Sequence, residues 1–251
     1  MKPLMKISLV AASLLAITLS SSAQQNESFK VVKVQGEIHR VKTGNILSIG
    51  ENVQSNENLS FKDNYSRAMV VNNKKGCMIL SANSNNGGPQ FLPAPNNMSV
   101  RTSLPAQPSE VLDFYYGYVA ITGADSLKID GDKLTIDADS YFTINYEKNG
   151  KSVSEKMSWN NGKLSLPSVL MSDKPEKIEI CYNNEFGLKK KSEFKPIYVD
   201  SRTLREEIRL IFDALQGDKA SKITATVSFI NDFYGKTTPE TVESWIDNNV
   251  K

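Results

Sequence analysis

The sequence predicts a mainly β protein with a helical C-terminus, and three patterns carry that reading. Apolar and polar residues alternate with a period of two through residues 29–82 and again through 111–199, as in strands buried on one face. The pairs Asn149-Gly150 and Asn161-Gly162 sit between such runs, where the positive φ they tolerate closes two-residue hairpins. From residue 201 onward the apolar residues recur every three or four positions, the period of a helix. The chain accordingly divides into a leader (1–23), a small β module (24–82), a Pro/Asn-rich linker (83–110), a β-sandwich (111–200) and C-terminal helices (201–251).

The opening MKPLMKISLVAASLLAITLSSSAQQNES has the layout of a secretory signal peptide. Lys2 and Lys6 form a basic region, Ile7 to Leu19 is an apolar run, and Ser21-Ser22-Ala23 places small residues before a cleavage point after Ala23. The run is short against the ~20 residues a membrane span needs, and no second long apolar run follows. No cysteine follows the run, which argues against a lipid anchor. The expectation is an exported chain, periplasmic or extracellular, with no stable membrane span after cleavage. Removing two lysines from 30 basic residues leaves them equal in number to the 28 acidic ones. A neutral mature chain lacks the basic field that bulk nucleic-acid binding requires, so nucleic acid is not an expected partner. With 39% hydrophobic residues the chain can fill real cores.

In the first module Val32, Val34 and Ile38 alternate with Lys33, Gln35, Glu37 and His39. Without a bulge, His39, the single histidine, shares the polar face of that strand and points to solvent. Gly36 marks a bend or bulge, Lys42-Thr43-Gly44-Asn45 a turn, and Leu47 and Ile49 alternate around Ser48. Further strands are read at Asn58 to Phe61, Arg67 to Val71 and Cys77 to Leu80, in a small antiparallel barrel or sandwich. The order VQGEIHRVKTGNILSIGENVQSNENLSF followed by RAMVVNNKKGCMILSA resembles the periplasmic FecR-type domain, with Gly36, Leu47, Gly50, Val53, Leu59, Ala68 and Gly76 at matching places. That resemblance implies a small all-β domain that binds other proteins or senses a ligand in the periplasm. Full-length regulators of the family carry a cytoplasmic tail ahead of a membrane span; here six residues precede the apolar run, which argues against control of a sigma factor.

Residues 83–110 hold five of the ten prolines, at 89, 93, 95, 105 and 108, and read as a linker or long irregular loop onto which Phe91, Leu92 and Met98 can pack. The second module opens on VLDFYYGYVAITG, rich in strand-favouring residues. LKIDGDKLTID alternates around Asp130-Gly131, YFTINYEKNGKSVSEKMSW and WNNGKLSL carry the Asn-Gly signals, and KIEICYNNEFG alternates again. Several short strands at this spacing fit an immunoglobulin-like sandwich; the Cys-Trp-Cys pattern of antibody domains is absent. In the last segment Thr203 with Glu206 reads as a capping box, followed by Leu204, Ile208, Ile211 and Leu215 at helical spacing and Gly217 as a stop. Ile223, Val227, Ile230 and Tyr234 form a second stripe ended by Gly235. Thr238-Pro239 opens a third helix, with Val242, Trp245 and Ile246 on one side. These helices are expected to cover an end or edge of the sandwich, or to dock a partner.

The chemistry-bearing groups are few. Tyr115, Tyr116 and Tyr118 are the candidate ligand-binding residues. Phe114, Tyr116 and Tyr118 would share one face of a strand, which serves either as core or as a stacking surface for a glycan. Asp125, Asp130, Asp132, Asp137 and Asp139 lack the spacing of a calcium loop and read as the solvent side of a hairpin. A His39–Cys77 dyad lacks any signalled orienting group or oxyanion site, and no G-x-S-x-G, H-E-x-x-H or Gly-rich phosphate motif occurs. Cys77 and Cys181 read as buried apolar residues, with one interdomain disulfide as the alternative. No catalytic residue, metal site or cofactor is expected. The expected function is a non-enzymatic interaction, scaffold or sensor module of the bacterial envelope with another envelope or secreted protein as partner. The alternative is a carbohydrate-binding module.

Overall fold

The structure is a computed structural model that describes residues 26–85, 87–94, 105–130, 133–185 and 190–250; the leader, with its expected cleavage site, Met98 and Asp132 lie outside the described residues. The first part is built on an antiparallel sheet in the order β3-β1-β5-β6-β7, made of β1 (Ser28–Gln35), β3 (Asn52–Gln54), β5 (Arg67–Asn72), β6 (Gly76–Ala82) and β7 (Pro89–Pro93). A two-stranded sheet of β2 (Ile38–Arg40) and β4 (Leu59–Phe61) lies against it. A bulge between Val31 and Lys33 shifts the register of β1 on β5. It breaks the simple alternation expected along this strand: Val31 and Val32 are both buried, in two different cores. Phe29, Val31, Ala68, Val70 and Leu80 pack with Ile38, Leu47 and Leu59 in one core. Val32, Met69, Val71 and Ile79 pack on the opposite side of the sheet with the C-terminal helices.

The chain turns out of β1 at Gly36, whose φ is +75 and where an added Cβ would stand 2.5 Å from Ser66 Oγ. Only glycine accepts both the conformation and the approach. β2 therefore belongs to a separate sheet, and His39 owes its position to that sheet rather than to the phase of β1. The segment from Leu47 to Gly50, read as alternating, forms no strand: Leu47 is buried and Ile49 is exposed.

Two elements occupy ground that read as linker or strand. Residues 89–93 form β7, paired with β6, and Phe91 stacks on Phe29 with ring centroids 4.8 Å apart. Residues Pro108–Phe114 form helix α1 rather than the start of a strand. Pro108 suits the first helical turn, and the Glu110 carboxylate accepts from the backbone N–H groups of Ala106 and Gln107. Local capping thus overrides the strand preference of the aromatic run.

The second part has two facing sheets. One runs β11-β10-β14-β15-β8, from β8 (Gly117–Ile121), β10 (Tyr141–Lys148), β11 (Lys151–Lys156), β14 (Ile178–Asn183) and β15 (Lys190–Tyr198); β15 and β8 are parallel and the other pairs antiparallel. The other runs β12-β13-β9, from β9 (Ser126–Lys128), β12 (Ser158–Asn160) and β13 (Lys163–Ser165). Both Asn-Gly turns form, with Asn149 at φ 53 and Asn161 at φ 49. The turn of the hairpin expected around Asp130 falls at 131–132, outside the described residues; β9 pairs with β13, Leu127 opposite Leu164. The Asp137 carboxylate accepts from the N–H groups of Asp139 and Ser140, closing a turn where a strand was expected. Val119, Ile121, Leu127, Phe142, Ile144, Leu164, Ile180 and Phe194 fill the space between the sheets, closed by Tyr115 at the end of α1 and by Leu170 of the short helix α2 (Leu170–Asp173).

Helices α3 (Ser201–Ala214), α4 (Lys219–Phe233) and α5 (Pro239–Asn249) follow. The cap of α3 is Asp200, whose carboxylate accepts from Thr203 N–H and hydroxyl, in place of the expected Thr203 box. Thr238 caps α5 as read, accepting from Thr241 N–H at 3.0 Å. The helices do not merely cap the sandwich. Leu204, Ile208, Ile211, Val227, Phe229, Val242, Trp245 and Ile246 share one core with Val32, Met69, Val71 and Ile79 of the first sheet. The apolar faces expected to dock a partner are thereby buried inside the molecule. Contact with the sandwich is both apolar and polar: Ala120 and Val199 join that core, and Thr238 and Thr241 hydroxyls both donate to Ser126 O, at 2.7 and 3.1 Å.

Candidate binding surfaces

The sequence-derived site residues separate. Tyr115 is only 1% exposed and packs on Phe114 and Phe194, with centroids 5.0 and 5.5 Å away. Burial pushes its phenol well above the ordinary tyrosine range, with Asp125 adding to the shift. It is a core residue. Tyr116 and Tyr118 are 67% and 58% exposed. Tyr118 stands on β8 opposite Lys195, on the outer side of the sheet, since Val119 and Ile121 point into the sandwich. Phe114 ends the helix and Tyr116 lies in the bend before β8, so only Tyr118 of the three expected to share a strand face stands on a strand.

His39 and Cys77 are not brought together. Cys77 is on β6 and packs into the core shared with the helices. Burial, reinforced by the charge of Asp232, pushes its thiol up to about 12, far from the thiolate that chemistry needs. His39 lies on β2, beyond the core on the other side of the sheet, half exposed, with Nε2 3.6 Å from Glu37 Oε2. Glu37 is held below the usual carboxylate range chiefly by Lys62, 2.6 Å away, and less by His39. Cys77 and Cys181 are free thiols in different sheets, Cys181 buried and Cys77 partly so, and the alternative of an interdomain disulfide is not met. Among the aspartates, Asp125 is buried and accepts from Thr122 N–H, Thr122 hydroxyl and Gly123 N–H, while Asp130 lies 3.4 Å from Lys133. Among the described residues, no group of three or more acids, histidines and cysteines is arranged to hold a metal ion.

A surface that the sequence did not single out lies on the loop after β2. Val41, Ile46 and Ile49 are 60%, 50% and 49% exposed, although all three are large and apolar. The hairpin from Arg40 to Asn45 folds Ile46 back opposite His39, and Leu47 N–H donates to Ile38 O at 2.8 Å. Leu47 anchors the loop in the core while its neighbours face out. Arg40 fastens the far side: its guanidinium donates to Asn52 O at 2.7 Å, to Glu51 Oε2 at 3.3 Å and to Glu57 Oε1. Those carboxylates in turn accept from Ser48 N–H and Gln54 N–H, each at 3.2 Å. The apolar side chains are therefore presented on a backbone already fixed, which reduces the ordering entropy a partner must overcome. The only sequence signal for this surface was three large aliphatics inside a segment rich in turn residues. Comparisons with protein-family models, with curated proteins and with solved structures find no match to this chain.

Proposed function

We propose that the chain is an exported, non-enzymatic envelope protein that acts as an interaction, scaffold or sensor module for another envelope or secreted protein. The observation that carries this reading is the fixed loop with Val41, Ile46 and Ile49 turned to solvent. Exposed apolar groups held on an ordered backbone favour association, whereas the same groups on the helices are already used inside the fold. The small sheets of the first part are compatible with the FecR-like reading. In the second part, the order β11-β10-β14-β15-β8 facing β12-β13-β9 supports the immunoglobulin-like reading.

The test is capture from the native host envelope with the chain starting at Gln24, in parallel with an Ile46→Asp/Ile49→Asp variant. A stoichiometric protein is expected with the first and lost with the second, circular dichroism being unchanged. Equal recovery by both would move the function away from this loop. The second reading is carbohydrate binding, favoured by the exposure of Tyr116 and Tyr118. Retention on polysaccharide columns that disappears in Tyr116→Ala/Tyr118→Ala would select it.

A further inference from the structure

The outer face of the five-stranded sheet of the sandwich holds a cleft of about 830 Å³, lined by no residue of the loop of Val41. Its floor crosses β10, β14 and β15, and its walls are the Asn149-Gly150 turn and the loop Pro175 to Lys177. Four glutamates line it, Glu147, Glu176, Glu179 and Glu193, against a single lysine, Lys177.

The arrangement of these acids is not what stability alone would choose. Glu179 and Glu193 stand directly opposite one another on neighbouring strands, where like charges repel. Each holds one counter-ion: Lys191 is 2.8 Å from Glu179, and Lys177 pairs with Glu193. The ammonium of Lys191 beside it keeps the Glu179 carboxyl below its usual range. Glu147 and Glu176 have no ion pair among the described residues. With two of its four carboxylates paired and two left without a counter-ion among the described residues, the cleft favours a cationic occupant. Asn149 and Ser152 on the rim add neutral donors and acceptors that suit a peptide backbone better than a polyamine. An extended peptide places alternate side chains on one face about 7 Å apart, within one to two of the ~4.8 Å spacings between the strands of the floor.

We propose that this cleft docks an extended segment of another protein that carries lysine or arginine at alternate positions. The site is separate from the apolar loop and stands or falls independently of the function proposed for it.

The test is fluorescence anisotropy of the purified chain with a labelled peptide alternating lysine and serine. A peptide alternating glutamate and serine, and spermine as competitor, serve as comparisons. Binding is expected for the basic peptide only, and it should weaken as salt rises from about 0.05 to about 0.5 M. Glu147→Gln/Glu176→Gln should raise Kd about tenfold, the size of two exposed ion pairs. Glu206→Gln, on the exposed side of α3, should leave it unchanged. No binding of the basic peptide, equal binding of the acidic one, or an unaltered Kd in the double variant would overturn the proposal. Spermine binding without peptide binding would overturn it in favour of a small polyamine.

Discussion

Asp232, on α4, is held in the fold at a cost. Burial pushes its carboxyl up to about 6, although the charge of Arg67 pulls the other way. Its Oδ2 is buried and accepts no hydrogen bond among the described residues. A carboxyl whose folded pKa exceeds its unfolded value of about 3.9 binds its proton more tightly when folded. The folded state is therefore penalised above about pH 6, and the penalty is relieved as pH falls toward about 4. Two pKa units correspond to about 2.7 kcal/mol, which screening of a partly exposed group reduces to about 1 kcal/mol. Asp232→Asn is thus expected to raise urea stability by about 1 kcal/mol at pH 8 and to leave it unaltered at pH 4. An equal gain at both pH values would show that the charge is not the cause.

At the scale of elements, one polar cluster ties α3 and α4 to the first sheet. The bulge in β1 turns Lys33 toward the helices, where its Nζ lies 2.7 Å from both Glu207 Oε1 and the Tyr234 hydroxyl. The Tyr234 hydroxyl donates to Glu207 Oε2 at 2.7 Å, and Glu207 is buried. Burial, then the hydrogen bond to Glu207, pushes the Tyr234 phenol far above its usual range. Lys33→Met removes the cation and leaves the carboxylate behind, so a loss of about 3 kcal/mol is expected in urea unfolding. Adding Glu207→Leu should restore part of that loss, because the uncompensated charge is then gone as well. A double variant less stable than Lys33→Met would refute this account. The same bulge explains why Lys33 was misread as a solvent residue: a single extra residue reverses the phase of a strand, and nothing in VVKVQG announces it. The Asn-Gly turns and the cap of α5 were legible because their causes lie within three or four residues. Helix α1 was missed although Gln107 and Glu110 stood in the sequence, since the aromatic run after it argued more loudly for a strand. Tyr115 was misplaced for the same reason. The exposure of Val41, Ile46 and Ile49 is not legible in the sequence because it depends on which neighbour, here Leu47, takes the inward position.

For the whole molecule, the C-terminal helices are structural partners of the segment farthest from them in sequence. Val32 and Met69 share a core with Ile208, Val227 and Trp245, so one face of the first sheet has no cover until the last residues are in place. The sandwich lies between them along the chain and contributes Ala120 and Val199 to that core, together with the Ser126 bonds to α5. The division of the chain into a first module, a sandwich and a helical tail therefore does not describe how its cores are assembled. Truncation after Val199 gives a direct test. Were the helices an appendage, the remaining β parts would fold and lose only what the helices bind. Here truncation uncovers Val32, Met69, Val71 and Ile79 on one continuous face, a patch of the kind that drives aggregation. The truncated chain is expected to bind a hydrophobic dye, to elute as aggregate in size exclusion, and to lose the protection of β1, β5 and β6 amides in hydrogen exchange. The amides of β10 and β14, whose core is made within the sandwich, should keep theirs. A monomeric truncated chain with protected β1 and β5 amides would instead mean that the first sheet is stable with one face bare.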